Sequence, residues 1–330
     1  MQVAEHKRSN RVINAMSYTG MSRRAFLGAV VAVVGLGNLP WSVRAALADG
    51  ANGSALTFDG DALIVASRNN LSHNVSRKES DGTWLSLPLP AGGGVGALAT
   101  HPARPGRIAA GLTAGGVALS EDGGRSWEMS GQGLPDAAVI AITVAAGNPD
   151  TLYASVRGDG LWRSDDAGRS WAFAMDRPWL ADTERDLTAL ASVDLATGMG
   201  GIWIYAGTET SLTRVPDCFC RWQDIQPGNA IDALVSGTPL PPEAPLPDGE
   251  PINALVSAAS RPTRLYAALP SGIWISEDAG VIWSHGTRKR ATALAVHPVN
   301  SDYVVAIAGD DLIQSTDGGI TWTAFVNKPL

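Results

Sequence analysis

The stretch SDDAGRSW at residues 164–171 decides the fold, because the same pattern occurs three more times along the chain. The other copies are SEDGGRSW ending at Trp127, SEDAGVIW ending at Trp283 and STDGGITW ending at Trp322. All four read Ser-x-Asp-x-Gly-x-x-Trp. A pattern that repeats every few tens of residues is typical of an array of similar structural units.

Each fixed letter of the pattern has a physical role in a tight turn. The aspartate side chain accepts hydrogen bonds from backbone N–H groups of its own turn. The glycine permits a positive φ, and the tryptophan carries a large apolar surface into the core at the start of the next strand. We therefore predict that these turns stabilise the fold and take no part in chemistry. The predicted structural residues are Asp122, Asp166, Asp278 and Asp317 with Trp127, Trp171, Trp283 and Trp322.

The spacing of the closing tryptophans predicts the number of repeats. Degenerate copies of the pattern end at Trp84 and Trp222, and the six tryptophans stand 43, 44, 51, 61 and 39 residues apart. Each repeat contains short apolar stretches separated by turn formers, such as 140–144, 152–154 and 160–163. Four short strands in about 40–45 residues is the period of a propeller blade. We predict an all-β chain that forms a single β-propeller of six four-stranded blades, with the turns on the blade edges.

Seven blades are the alternative count. A seventh blade would need residues 228–251, and the six prolines of that segment are incompatible with four paired strands. We therefore expect a long, stiff loop on one rim. The ring is expected to close through contacts between the first and last blades, or through pairing of residues 49–57 with the last blade.

The four turns resemble the Asp-box, or BNR repeat, of sialidase-like propellers. The longer text TLYASVRGDGLWRSDDAGRSW at residues 151–171 resembles the photosystem II assembly-factor-like propellers. Together the resemblances cover nearly all of residues 49–330 and imply the propeller fold. Members of that wider group are often non-enzymatic scaffolds or assembly factors, so the resemblance also implies a binding role.

The N-terminal residues 1–48 have the pattern of a twin-arginine signal peptide. Arg23 and Arg24 lie in an SRRAFL motif, which precedes a Gly-interrupted apolar run and the small-x-small site Ala46-Leu47-Ala48. The apolar run is too short and too rich in glycine to cross a bilayer of ~30 Å. We predict export through the twin-arginine pathway to the periplasm, with a single propeller domain over 49–330.

Charge limits the partners of the exported chain. Removing residues 1–48 leaves 19 basic and 31 acidic residues, a net charge of −12. An acidic surface of this size argues against binding to nucleic acid or to anionic lipid. No other segment is apolar enough to span a membrane. We therefore expect a monomeric propeller with protein partners, such as a redox or membrane complex.

The residues that sialidase chemistry requires are missing from the sequence. The resemblance to sialidases implies an arginine triad, a tyrosine nucleophile with a glutamate partner and an aspartate acid/base. However, the tyrosines of residues 49–330 all lie on or beside the second strand of a repeat, where packing explains them. These tyrosines are Tyr153, Tyr205, Tyr266 and Tyr303. For a glycosidase that uses two carboxylates, the candidate acids form a cluster on the rim: Asp182, Glu184 and Asp186. The chain is expected to have no catalytic residues.

The chain's two cysteines lie in a copy of the turn that has lost its usual letters. The segment VPDCFCRW, residues 215–222, keeps the aspartate and tryptophan but replaces the serine by Val215 and the glycine by Phe219. Three interpretations of Cys218 and Cys220 remain open. An oxidising compartment favours a local disulfide, thiolates favour a copper(I) or redox pair, and the third is two unpaired thiols that are structural or face a partner. No cofactor is expected otherwise.

These observations favour an exported, non-catalytic propeller that acts as an interaction scaffold or assembly factor for a periplasmic or membrane-associated complex. The alternatives are a glycan-binding or glycoside-hydrolase-type propeller and a copper or redox accessory protein. The central cleft distinguishes them. Three or more Arg, Asp or Glu side chains converging there would contradict the scaffold hypothesis.

Overall fold

The computed structural model describes residues 55–69, 72–91, 93–198, 200–227, 234–239 and 242–326. These residues form an all-β propeller of six antiparallel sheets, and the predicted fold and blade number are confirmed. Residues 1–48, which carry the predicted export motif, lie outside the described residues. Among the residues that are described, no helix combines the length and the apolar character needed to cross a bilayer.

Within each blade the strands follow the chain from the innermost to the outermost position. Blade 1 contains β1 (Ala55–Asp59), β2 (Ala62–Asn69), β3 (Ser72–Lys78) and β4 (Trp84–Leu87). Blade 2 contains β5 (Val95–Thr100), β6 (Ile108–Leu112), β7 (Val117–Ser120) and β8 (Glu128–Ser130). Blade 3 contains β9 (Val139–Ala145), β10 (Asn148–Val156), β11 (Gly160–Ser164) and β12 (Ala172–Met175).

The second half of the chain repeats this arrangement after a small hairpin, β13 (Trp179–Leu180) and β14 (Thr183–Glu184). Blade 4 contains β15 (Ala189–Val193), β16 (Trp203–Gly207) and β17 (Leu212–Pro216). Blade 5 contains β18 (Ala254–Ala258), β19 (Arg261–Leu269), β20 (Gly272–Ser276) and β21 (Trp283–Thr287). Blade 6 contains β22 (Ala293–Val296), β23 (Val304–Ala308), β24 (Asp311–Ser315) and β25 (Thr323–Ala324).

The hydrophobic core lies between neighbouring blades. Successive side chains of a strand point to opposite faces of its sheet, so each inner strand contributes to two interfaces. In β5, Leu98 packs into the cluster shared with blade 1, whereas Ala97 and Ala99 pack into the cluster shared with blade 3. An inner strand with alternating Leu and Ala, such as β5, therefore packs against both of its neighbouring blades.

Blade 4 differs from the prediction of four strands per blade. Its described residues form a three-stranded sheet, and after the turn at 217–222 the described chain makes one antiparallel bridge to it, between Gln223 and Arg214. The chain then departs, because Ile225 packs into the apolar cluster between blades 4 and 5 and Pro227 has no N–H for a ladder.

Among the described residues, the ring closes without a shared strand. All four strands of blade 1 come from residues 55–87 and all four strands of blade 6 from residues 293–324. The two blades meet through Phe58 and Leu56 of β1, which share an apolar cluster with Val305 and Phe325 of blade 6. Residues 55–57 of β1 pair with β2, so they form no strand with the last blade. Residues 49–54, the rest of the segment considered for pairing with the last blade, lie outside the described residues. Within the described residues, the first and last blades meet through side-chain contacts.

The described part of the proline-rich segment binds along blades 4 and 5. Ala244 lies beside the last turn of blade 5, since its N–H donates to Val281 O and its carbonyl accepts from Trp283 N. Leu246 is buried in the cluster between the two blades, and Glu250 accepts a hydrogen bond from Ser271 N at 2.9 Å. Instead of standing free on one rim, residues 242–251 therefore pack against the propeller. Residues 228–233, 240 and 241 lie outside the described residues.

Candidate functional site

The four Ser-x-Asp-x-Gly-x-x-Trp turns, which we call the aspartate turns, connect the third strand of a blade to the fourth. In blade 3, Ser164 Oγ donates to Asp166 Oδ1 at 2.8 Å and accepts from Gly168 N at 2.8 Å. Asp166 Oδ1 also accepts from Ser170 N, and Oδ2 accepts from the Ser170 hydroxyl. The indole N–H of Trp171 donates to Gly168 O. Every fixed letter of the pattern is therefore used to close the turn.

The other three aspartate turns repeat the core of this network, although the Trp127 indole donates to Pro88 O instead of to its own turn and Ile282 offers Asp278 no hydroxyl. Asp122, Asp278 and Asp317 each accept a serine hydroxyl from two residues before and a backbone N–H from four residues after. Side-chain hydroxyls four residues after the aspartate, followed by the backbone N–H of the same residues, lower the pKa of Asp122, Asp166 and Asp317 to about 2. These carboxylates stay ionised and bound within their own turns, so they have no spare proton for acid/base chemistry.

Paired ionic side chains link neighbouring blades beside these turns. Arg107 Nη1 of blade 2 lies 2.6 Å from Asp150 Oδ1 of blade 3, and Arg264 of blade 5 pairs in the same way with Asp302 of blade 6. Tyr205 of blade 4 donates its hydroxyl to Ala279 O of blade 5 at 2.8 Å. These two ion pairs and this hydrogen bond thus hold neighbouring blades together.

The degenerate turn of blade 4 is held by different contacts, because it lacks the serine and the glycine of the aspartate turns. The side chains that stand in the two hydroxyl positions are Val215 and Arg221, so Asp217 has no hydroxyl of its own turn to accept. Its N–H donates to Ile202 O at 3.0 Å, and Phe219 N donates to Pro216 O at 2.8 Å. Phe219 occupies the glycine position with φ of +53°.

The two cysteines of this turn are joined in a disulfide, and both are exposed. The intervening Phe219 ring packs on Tyr153 of blade 3, with ring centroids 5.7 Å apart. In the paired state neither sulfur is a thiolate, so the copper(I) alternative applies to the reduced chain alone. Within the described residues, no three His, Cys, Asp or Glu side chains come together as a metal site.

The inner strands surround an axial channel of about 380 Å³. Its walls are mainly Ala, Leu, Val, Ile and Thr, and the ionisable side chains among the described residues that line it are His101 and Asp194. Retaining and inverting glycosidases generally need two carboxyl groups about 5–10 Å apart. The described wall of this channel supplies one.

The tyrosines occupy the positions predicted for them on or beside second strands. Tyr153, Tyr205 and Tyr266 are almost completely buried in β10, β16 and β19. Burial raises the pKa of Tyr153 and of Tyr266 to about 12. A buried hydroxyl that resists ionisation is unsuited to attack a sugar.

The rim acids belong to the hairpin formed by β13 and β14, which the sequence analysis did not predict. Arg177 binds both Glu184 and Asp186, the latter at 3.2 Å. Ala181 and Asp182 form its two-residue tip with φ of +46° and +62°, values that suit the twist of a hairpin.

The hairpin is braced on both sides and presents a large aromatic side chain. Asp186 Oδ1 accepts from Gly158 N of blade 3 at 2.9 Å, and Arg185 lies 3.6 Å from Glu209 of blade 4. Trp179 at its start is 67% exposed. Its tip reads Ala-Asp instead of Asn-Gly or Asp-Gly, so the usual sequence signal for a short hairpin is absent.

Comparison with known proteins finds similarity in fold, and only among solved structures. No protein-family model matches it, and no curated protein matches it. A chain of the COPII outer coat vertex has a TM-score of 0.56 at 9% identity, over 83% of this chain and 70% of that one. The GH74 xyloglucanase from Xanthomonas campestris has a TM-score of 0.52 at 19% identity, over 82% of this chain and 45% of that one.

A third structure, YCF48 bound to a D1 peptide, matches 83% of both chains at 14% identity with a TM-score of 0.47. The likeness is one of fold. At these identities the matches with TM-scores above 0.5 show the propeller fold and carry neither family nor activity across. The chain spans about half the length of the GH74 structures it matches.

Proposed function

We propose that the chain is an exported, non-catalytic propeller that binds a protein partner as a scaffold or assembly factor. The axial channel carries this proposal, since it offers a single carboxylate, Asp194, among its described lining residues. Among the described lining residues, the scaffold hypothesis therefore does not meet the three converging Arg, Asp or Glu side chains that would count against it.

The remaining ionic groups also favour binding over chemistry. The aspartate turns hold their own carboxylates, and Arg107 and Arg264 are committed to pairs between blades. A ring whose blades are linked by such pairs is well suited to present rim loops to a partner. Export remains the prediction from residues 1–48.

The β13–β14 hairpin is the part of the rim best suited to contact a partner. Interface hot spots are enriched in tryptophan, which buries a large area with few rotatable bonds. Trp179 is exposed on a hairpin that Arg177, Asp186 and Arg185 hold in place, so a partner would pay little entropy for ordering it.

An affinity-capture experiment tests the proposal. The full chain carrying a C-terminal tag is expressed in its native host, cross-linked and purified, and the bound proteins are quantified by mass spectrometry. Trp179→Ala is the test variant. Val299→Ala is the control, because Val299 is 74% exposed in the β22–β23 loop of blade 6.

We expect one or a few proteins to be enriched with the unmodified chain and with Val299→Ala, and to be depleted at least tenfold with Trp179→Ala. Equal capture by all three chains would rule out the hairpin as the binding site. Release of reducing sugar from plant or bacterial polysaccharides, lost in Asp194→Ala, would instead support the glycoside hydrolase alternative.

A further inference from the structure

We propose that Cys218 and Cys220 form a reactive disulfide that exchanges with a dithiol of another protein and oxidises it. This proposal is independent of the proposed scaffold role, because it concerns the degenerate turn of blade 4 and needs neither the hairpin nor the channel. The reasons lie in the exposure of the pair, in its small contribution to the fold and in the backbone of the residue between the two cysteines.

Exposure makes the disulfide accessible to an attacking thiolate. Both cysteines are exposed at the edge of blade 4, in the turn that follows β17. Structural disulfides of secreted proteins resist reduction by glutathione, whereas exposed or strained disulfides tend to be the labile, regulatory or catalytic ones. The position of this pair is typical of the second class.

The disulfide contributes little to the stability of the fold. It closes a loop with one intervening residue, and the stabilisation from a disulfide decreases as the loop it closes becomes shorter. The turn is also held by other contacts. Trp222 Nε1 donates to Asp176 O at 2.9 Å, and Gln223 exchanges two backbone hydrogen bonds with Arg214. The chain can therefore lose the disulfide without losing blade 4.

The backbone of Phe219 favours the reduced state. A bulky residue with φ of +53° is a conformational outlier, and Phe219 stands where the aspartate turns place glycine. The short ring through the disulfide is one of the constraints on this conformation, beside the contact with Tyr153 and the hydrogen bond from Phe219 N to Pro216 O. Reduction removes the first constraint, so relief of backbone strain assists transfer of oxidising equivalents out of the turn.

The exchange conserves atoms and electrons without a cofactor. A thiolate of the substrate dithiol attacks Cys218 Sγ, the bond to Cys220 breaks, and Cys220 leaves as a thiolate beside the cationic Arg221. The second substrate thiol, deprotonated by water, then attacks its own partner sulfur in the mixed disulfide and releases Cys218 as a thiolate. The substrate gains a disulfide and loses two electrons, and both cysteines of the chain gain a proton from solvent.

A thiol-trapping experiment on the native full chain tests the proposal. The oxidised chain is incubated without oxygen and with a metal chelator in reduced glutathione, and the free thiols are alkylated and counted by mass spectrometry. We expect most of the chain to be reduced without denaturant. A disulfide that stays intact until the chain is unfolded would overturn the proposal.

A second measurement distinguishes exchange from a structural role. The oxidised chain is mixed with a synthetic peptide that contains two reduced cysteines, and the peptide disulfide is quantified. We expect one peptide disulfide per chain, and none above buffer from C218S/C220S. The reduced chain and C218S/C220S should keep the melting temperature of the oxidised chain within a few degrees. Loss of the fold on reduction, or no transfer to the peptide, would overturn the proposal.

Discussion

His297 Nε2 lies 3.0 Å from Asp61 Oδ1, although the two residues are 236 positions apart in the chain. His101 occupies the same place in blade 2, and its Nε2 lies 3.1 Å from Ala146 O of blade 3. The histidine of this repeat position therefore connects a blade to the next one. For blade 6 the next one is blade 1, so the contact closes the ring.

Between the described strands of blades 1 and 6, ring closure depends on side-chain packing, because none of these strands is shared. Phe58 is 5% exposed and its ring lies 5.2 Å from His297 and 5.5 Å from Tyr303. We predict that Phe58→Ala lowers the free energy of unfolding by about 3–5 kcal/mol and that hydrogen exchange in β1 and β22 accelerates before exchange in β9. Phe173→Ala, at a side chain that is 50% exposed, is the control and should change stability little. Unchanged exchange in β1 and β22 would contradict closure at this interface.

The aspartate turns are expected to be structural. Asp166→Ala removes the acceptor of three hydrogen bonds, from Ser164 and Ser170, and should cost about 1–2 kcal/mol. Asp165→Ala is the neighbouring control, whose carboxylate binds Arg163 and Thr151 outside that network. Thermal melting measures both. A variant at Asp166 that keeps its melting temperature but loses partner binding would show that the turn has a direct functional role.

The same turns predict how stability depends on pH. Hydroxyl and backbone donors hold the pKa of Asp122, Asp166 and Asp317 at about 2, below the ordinary value of 3.8. Because the folded pKa is the lower one, their contribution is present above pH 3.8 and is lost as the pH falls towards 2. Melting temperatures should therefore decline over that window. Asp166→Asn, which does not titrate, should decline less, and an equal decline would contradict the assignment.

The glycines of the aspartate turns are required by the backbone. Gly124 has φ of +90°, and a Cβ there would lie 2.6 Å from Leu87 Cδ1. We predict that Gly124→Ala destabilises the chain by about 1–3 kcal/mol. Gly147→Ala is the matched control, since no heavy atom lies within 4 Å of its would-be Cβ and its φ is not in the left-handed region. Equal melting temperatures for the two variants would contradict this explanation.

The fold was predictable from sequence because it repeats. The aspartate turns mark the edges of four of the six blades with residues that only a tight turn requires, and the alternation of Leu and Ala in strands such as β5 marks the two faces of a sheet. The three-stranded sheet that the described residues of blade 4 form was not predictable. It depends on the packing of Ile225 between two blades, which is a tertiary contact that no local pattern reveals.

The candidate sites were predictable only where they depart from the repeat. Cys218 and Cys220 were found because their turn lacks serine and glycine. The β13–β14 hairpin was not predicted, because the ion pairs of Arg177 with Glu184 and Asp186 that hold it are visible only in the folded structure. Trp179 gives no signal in sequence either, because exposure of one tryptophan is decided by everything that packs around it.

We propose that this propeller binds a protein partner through its braced hairpin, and that its axial channel is not a catalytic site. The most direct test is the amount of partner captured by the full chain, by Trp179→Ala and by Val299→Ala under identical conditions. We expect Trp179→Ala alone to lose the partner, by at least tenfold. Equal recovery with all three chains, or no specific partner with any of them, would contradict it.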